Sequence, residues 1–310
     1  MSRVTTGTFD EIAEALQGLD GRVTLTGLEQ EKWCIHHYSI GRVSIHVGQD
    51  GAPNLYEGAS ESDALILFLP LANQEVIRFD GREVGCVSLA SIAPGHSVTV
   101  ASAAPNHYAA CKIPIDLLAG SKRFNDGDID AFATSNAIWV LSADRMNHIR
   151  KLLTRLIAAD CRLVSVQAAR TAEEEWITLM LDASRFPSGQ NVRGRPAFSR
   201  QRIISKALEC IQGSQDETLY VEDLCNAAGV SERTLRGVFN EYFGIGPIRY
   251  LRQRRLHRIR AALLATQQGR DTISSIASGF GVWDFGRFAR EYKATFGELP
   301  SQTLYGERDA

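Results

Sequence analysis

Leu224-Cys225-Asn226-Ala227-Ala228-Gly229-Val230, followed by Phe239 and by Phe243-Gly244-Ile245-Gly246-Pro247, recurs almost in kind farther along the chain. The second copy reads Ile276-Ala277-Ser278-Gly279-Phe280-Gly281-Val282, then Tyr292, then Phe296-Gly297-Glu298-Leu299-Pro300. The offset is 52 residues at the start and 53 at the end, so one residue is inserted between the turn and the second helix of the later copy. Each copy predicts a short helix, a glycine-marked turn and a second helix. That is the helix-turn-helix pattern, whose second helix reads the DNA major groove.

In the first copy Val221–Ala228 is the supporting helix, and Gly229 permits the turn. Ser231 is placed to cap a helix running from Glu232 to about Tyr242. Leu235, Val238 and Phe239 fall at core spacing, which leaves Arg233, Arg236, Gly237 and Asn240 on the opposite face. Arginine bonds guanine O6 and N7 and asparagine bonds adenine, each good pair discriminating by about 1–3 kcal/mol. In the second copy Phe288 and Tyr292 anchor the core, while Gly286, Arg287 and Arg290 lie on the helix that would enter the groove. Trp283, in the longer second turn, is expected to pack that turn, with contact to the DNA backbone as the alternative. Between the copies Pro247–Leu264 predicts one long helix with proline in its first turn. It carries six arginines, of which Arg249, Arg252, Arg254 and Arg258 are candidates for phosphate contacts; a solvated face is the alternative.

The charge distribution agrees. The 310-residue chain carries a net charge of −2, which alone argues against a nucleic-acid partner. Residues 200–310, however, hold 16 Lys and Arg against 13 Asp and Glu, whereas the preceding residues hold 18 against 23. Fourteen of those 16 are arginine, the residue suited to bidentate contact with guanine and phosphate. With 44% hydrophobic and 23% charged residues the chain is an ordinary soluble globular protein, long enough for two domains. The longest apolar run, Ala64–Ala72, contains Pro70 and is too short to span a membrane. The N-terminal stretch has no charged-then-apolar signal segment, so a cytoplasmic location is expected, with no membrane contact. Six scattered cysteines, without a C-x-x-C pair, predict reduced thiols.

Upstream of the repeat the texture changes twice. Thr8–Gln17 predicts a short helix. From about 23 to 113 short β-rich runs follow one another: Ile35–Ile40, Val43–Val47, Leu65–Leu69, Glu75–Phe79, Val84–Leu89, Ser97–Val100 and Ala109–Ile113. Asp80-Gly81 predicts a two-residue hairpin turn. Strands at this spacing suggest a β-sandwich or small barrel. Helices follow over about 143–184. Met146, Ile149, Leu153 and Leu156 form an apolar stripe, with Leu152 and Ile157 left to reach a second subunit. A second helix is expected to include Thr171–Ala183, with Thr171 and Glu174 at capping-box spacing and an earlier start left open. The polar, glycine- and proline-containing stretch 186–198 reads as a linker, and 199–310 as helical throughout. The expectation is an α+β, two-domain chain: residues 1–185, a linker, and an all-α domain over 199–310 with two helix-turn-helix units joined by a long helix.

Ser231-x-Arg233-x-Leu235-x-x-x-Phe239, then Gly244-x-x-Pro247-x-x-Tyr250-Leu251, Arg255-Leu256 and the second Phe-Gly-x-x-Pro resemble the AraC/XylS family of bacterial transcription regulators. Gly286-Arg287-Phe288-Ala289-x-x-Tyr292-x-x-x-Phe296-Gly297-Glu298-x-Pro300-Ser301 resembles its XylS-like branch. The resemblance covers roughly 200–305. It implies recognition helices in successive major-groove segments on one face of double-stranded DNA. Arg233, Arg236 and Gly237 fall at base-reading positions in the first unit, and Gly286, Arg287 and Arg290 in the second. Gly237 departs from the polar side chain frequent there, and Gly246 from a frequent serine. For 1–185 the family implies a cupin-like (jelly-roll) domain that binds a small-molecule effector, followed by a helical pair that makes a homodimer. It further implies an activator, with RNA polymerase a candidate partner.

No feature of the sequence points to an enzyme or a cofactor. His36, His37, His46, His96 and His107 lie in the β region without the H-x-H plus Glu arrangement of a cupin metal centre, so no metal is expected. Arg78-x-x-x-Arg82 admits a cyclic-dinucleotide pocket, but a two-residue turn at Asp80-Gly81 would set Arg78 opposite Glu83 as an ordinary cross-strand pair. The alternatives left open are a regulator whose N-terminal half only dimerises, a cupin-like enzyme, and a cyclic-dinucleotide-responsive regulator.

Overall fold

The structure is a computed structural model describing residues 3–7, 9, 21–71, 77–119, 132–159, 166–185, 198–214, 218–266 and 271–305. The chain divides into two compact units, one built mainly on strands and one mainly on helices.

The strands are β1 (Arg3–Gly7), β2 (Gly21–Leu25), β3 (Trp33–Ile40), β4 (Val43–Asp50), β5 (Asn54–Ala59), β6 (Ala64–Pro70), β7 (Ile77–Phe79), β8 (Arg82–Val84), β9 (Ser88–Ile92), β10 (Ser97–Ser102), β11 (Asn106–Pro114) and β12 (Ala137–Val140), all in the first unit except the end of β2 from Thr24 and the start of β5 up to Leu55, which group with the second. They form a seven-stranded sheet in the order β1-β3-β4-β11-β6-β9-β12 and a five-stranded sheet in the order β2-β5-β10-β7-β8. Three helices accompany them: α1 (Ile115–Ala119), α2 (Ala143–Ala159) and α3 (Val166–Arg185).

The continuous apolar run is explained by β6, which is covered on both faces. Leu65, Leu67 and Leu69 join Ile45, Cys111 and Ile113 in a core closed by Met146, Ile149 and Leu153 of α2 and Trp176 and Met180 of α3. Ile66 and Phe68, pointing the other way, join Ile77, Phe79, Val84, Ala90 and Ile92. Met146, Ile149 and Leu153 of the α2 stripe are therefore core, and Leu152 packs against the same core. The Asp80-Gly81 hairpin has the expected register, Arg78 opposite Glu83 at 4.0 Å, with φ of 49° and 77° at its two turn residues. Arg82 pairs with Phe79 across the turn, so the two arginines do not share a pocket.

Two expectations are corrected. Val84–Leu89 is not one strand: β8 ends at Val84 in the five-stranded sheet and β9 begins at Ser88 in the seven-stranded one. The chain changes sheet through a turn in which the Ser88 N–H donates to the Gly85 carbonyl at 2.9 Å. Thr171 is not a cap, because α3 begins at Val166 and the Thr171 hydroxyl donates back to the Gln167 carbonyl at 3.1 Å. The expected helix Thr8–Gln17 apart from Phe9, Glu75 and Val76, the side chains of Leu156 and Ile157, Cys161, and 186–197 of the expected linker lie outside the described residues.

The second unit comprises α4 (Phe198–Gly213), α5 (Val221–Ala228), α6 (Glu232–Phe243), α7 (Pro247–Ala265), α8 (Ile273–Gly279), α9 (Phe285–Phe296) and α10 (Pro300–Tyr305). Both helix-turn-helix units and the long helix between them, α7, are present, and α7 starts on Pro247 as expected. Among the described residues no helix is long and apolar enough to cross a membrane.

Candidate nucleic-acid interface

The two units repeat in backbone as well as in sequence. Gly229 and Gly281 both adopt the left-handed conformation, at φ of 67° and 73°. In each, the next N–H reaches back to the supporting helix: Val230 to the Cys225 carbonyl at 3.0 Å, Val282 to the Ala277 carbonyl at 3.1 Å. A polar cap then starts each second helix. Ser231 Oγ accepts from the Thr234 N–H at 3.3 Å, and Asp284 Oδ1 accepts from the Arg287 N–H at 2.9 Å. Gly244 and Gly297 end the two helices, both left-handed. The residue that changes the offset from 52 to 53 therefore lies between Val282 and Asp284, and it is Trp283.

Each second helix buries one stripe. Leu235, Val238, Phe239, Tyr242 and Phe243 anchor α6, and Phe239, Phe243 and Tyr250 of α7 form an aromatic cluster with ring centroids 5.1–5.4 Å apart. In α9, Phe288 meets Tyr292 edge to face and Tyr292 meets Phe296 at a tilt, with ring centroids 5.6 and 4.6 Å apart. A polar network ties this stripe to α7 and α10. Arg260 Nη1 donates to Glu298 Oε1 at 2.6 Å and to the Tyr292 hydroxyl at 3.3 Å, and the Thr303 hydroxyl donates to Glu298 Oε1 at 2.6 Å. Burial raises the Tyr292 phenol above its ordinary value.

With the apolar stripes fixed, the expected reading residues all face solvent. Ser231, Arg233, Arg236, Gly237 and Asn240 are exposed on α6 and its cap, as are Gly286, Arg287 and Arg290 on α9. Two of the arginines are held by glutamates on their own helix: Arg236 by Glu232 at 2.7 Å, and Arg287 by Glu291 at 2.8 Å. The pairing raises the Arg287 guanidinium above its ordinary value. Glu291 also receives Arg252 from α7 at 3.2 Å.

The candidate phosphate contacts separate. Arg249 is exposed and Arg252 partly so. Arg258 lies over the Phe280 ring at 5.0 Å, and Arg254, Arg255 and Arg258 together line a cleft beside Thr218 and Phe280. Arg254 is a correction: it is buried, and its Nη2 donates to the Ile211 carbonyl at the end of α4 at 2.7 Å, so it ties two helices instead of facing solvent. Trp283 is a second correction, being 78% exposed and not packed into its turn. Sequence reasoning passed over Phe285, exposed at the first position of α9, and Lys293, exposed at the place that Asn240 holds in α6. The 53-residue offset was the signal for Lys293.

Among the described residues, no three His, Cys, Asp or Glu side chains are grouped to hold a metal ion. His37 Nδ1 and His46 Nε2 are hydrogen-bonded to each other at 2.9 Å. Burial, followed by the charges of His37 and Lys112, pushes the His46 pKa down to about 4.

A helix-turn-helix domain family matches residues 224–305. The XylDLEGF operon transcriptional activator 2 of Pseudomonas putida is 34% identical over 113 residues, 36% of this chain and 68% of that protein. The XylDLEGF operon transcriptional activator of the same organism is 35% identical over 112 residues, and there the match spans only 33% of the relative. Among solved structures, that of the AraC-like transcriptional activator CuxR aligns over 83% of this chain and 94% of its own, at 16% identity and a TM-score of 0.47.

Proposed function

Because this chain belongs to the AraC/XylS family of transcription regulators, we propose that it binds double-stranded DNA sequence-specifically and activates transcription. In this reading α6 and α9 enter successive major-groove segments on one face of the duplex. The observation that carries it is the pair of capped, solvent-facing helices whose apolar stripes are fixed in aromatic clusters while Arg233, Arg236, Asn240, Arg287 and Arg290 face outward. Ser231 and Asp284 hold the tips. Gly237 and Gly286 allow close approach without reading a base themselves. Arg249, Arg252 and Arg258 serve as phosphate contacts that set register.

Residues 1–185 form the regulatory part, a cupin-like sandwich with the helical pair α2–α3, joined to residues 199–310 through a linker at 186–198. A small-molecule effector bound in this part controls activation, and RNA polymerase is the partner that activation requires. Support comes from the two-sheet architecture together with family membership. A homodimer through α2 and α3 rests on family membership alone, since Leu152 packs on its own core. A second reading, in which residues 1–185 dimerise without a ligand, draws on the aromatic packing beside the inner core: Phe68 lies 6.3 Å from Phe79 and 5.6 Å from Tyr108. The relatives above are named as transcriptional activators, not as enzymes.

The test is affinity for a duplex selected by the full chain from a random library, compared with random duplex. Arg233→Ala and Arg287→Ala are each expected to weaken the selected duplex by about tenfold or more and random duplex far less. Equal loss on both would remove base reading from these side chains.

A further inference from the structure

We propose that Trp283 and Phe285 form an apolar tip on the second unit that lies against thymine 5-methyl groups in the major groove. In that case α9 reads its half of the site by methyl contact as well as through Arg287 and Arg290. The inference rests on the reading that α9 enters the groove.

Three observations converge on it. The first is the insertion. The turn glycines, the carbonyls they bring back and the caps correspond one for one between the two units, and Trp283 alone has no counterpart. The second is exposure. Trp33, Trp139 and Trp176 are 1%, 5% and 5% exposed, whereas Trp283 is 78% exposed and Phe285, two residues on, is 40% exposed. In the first unit the equivalents of Phe285 and Gly286 are Glu232 and Arg233, both charged, so the apolar tip belongs to the second unit only. The third is the bare position beside it. A Cβ on Gly286 would meet only Asp284 Oδ1, at 3.7 Å. Nothing inside the protein requires glycine there, although glycine weakens a helix interior.

The chemistry of the surroundings selects the occupant. Arg287 and Arg290 follow the tip on the same exposed helix, and a surface that carries negative charge and an apolar group together complements that arrangement. Among the groups that base pairs present in the major groove, the apolar one is the thymine methyl, and phosphates supply the charge. An indole and a phenyl ring at the leading end of a groove-entering helix, followed by a residue with no side chain, match that surface.

The experiment uses the full chain and the duplex it selects from a random library. Each thymine is replaced in turn by deoxyuridine, which lacks the methyl group. Wild-type protein is expected to lose about fourfold in affinity at one or two positions in the half-site that α9 contacts, the value of one buried methyl group. The Trp283→Ala, Phe285→Ala double variant is expected to bind the thymine and uracil duplexes alike. Both positions are exposed, so folding should survive, and a circular-dichroism spectrum and thermal unfolding midpoint close to wild type check that it does. A second readout needs no substitution in the DNA. Acrylamide quenching of tryptophan emission reports mainly the exposed Trp283, and it should fall when the selected duplex is added to wild type but not to Trp283→Phe. If uracil duplexes bind wild type as well as thymine duplexes, or Trp283 stays open to quencher, the apolar contact is overturned while DNA binding stands. If the library enriches no sequence, the underlying reading falls as well.

Discussion

Arg260→Leu should loosen the second recognition helix selectively. The Arg260 side chain is 13% exposed, and its guanidinium donates to Glu298, Thr303 and the Tyr292 hydroxyl and lies 4.7 Å from the centre of the Phe296 ring. Leucine keeps most of the stem packing and removes the guanidinium donors, leaving the Glu298 carboxylate with the Thr303 hydroxyl but without the Arg260 charge. Breaking a fully buried pair costs about 3–5 kcal/mol, and a hydrogen bond to a charged group contributes about 1.5–3 kcal/mol. Glu298 is 30% exposed and reaches water in part, which sets the expected loss near the lower figures, about 2 kcal/mol. Because the chain has two units, one global unfolding energy would blur the effect. Hydrogen exchange of the α9 amides resolves it: protection there should fall about 30-fold, the equivalent of ~2 kcal/mol. The amides of α2 should be unchanged. Replacing Glu298 by Gln in the same chain should restore part of the loss, since the stranded charge is gone. Protection of α9 within about threefold of wild type would refute the claim that this network anchors the helix.

Gly229→Ala should cost about 1–2 kcal/mol through its left-handed backbone alone, because no atom lies within 4 Å of the added methyl. Gly281→Ala should cost more, since its Cβ would sit 2.9 Å from Thr218 Oγ1; thermal unfolding of the two variants ranks them. Between about pH 6.5 and pH 4 the unfolded chain binds more protons at His46 than the folded one, so the stability of the first unit should fall with pH across that window and be complete above it. The fall should be on the order of 3 kcal/mol at most, and His46→Gln should flatten it in denaturant titrations read through the buried tryptophans. Glu291→Gln frees Arg252 and Arg287 from a shared carboxylate, and it should tighten DNA binding by about two- to threefold at low salt, an advantage that shrinks as salt rises.

The helical unit was legible because its signals are local. Glycine at a left-handed turn, a cap one or two residues on and an apolar stripe at helical spacing each occur within a few residues, twice over. The hairpin at Asp80-Gly81 was legible for the same reason. What escaped depends on distant partners. Gly85–Val87 interrupts a plausible strand because Val84 and Ser88 belong to different sheets, and β12 is only four residues long, given meaning by its pairing with β9. Arg254 looks like every other arginine of its helix until the Ile211 carbonyl is seen beside it. Between packing its turn and contacting DNA, Trp283 is undecided by sequence alone, because the inserted residue falls outside both helices' apolar stripes; in the structure it meets solvent.

The central claim is that one chain carries two unlike readers. Site selection from a random duplex library, performed in parallel with wild type, Arg233→Ala and Arg287→Ala, tests it most directly. Wild type should enrich an asymmetric site whose two halves are separated by about one helical turn, roughly 10–10.5 base pairs. Arg233→Ala should relax base preference within one half only, and Arg287→Ala within the other. Uniform weakening with the base preferences intact in both variants would contradict the claim.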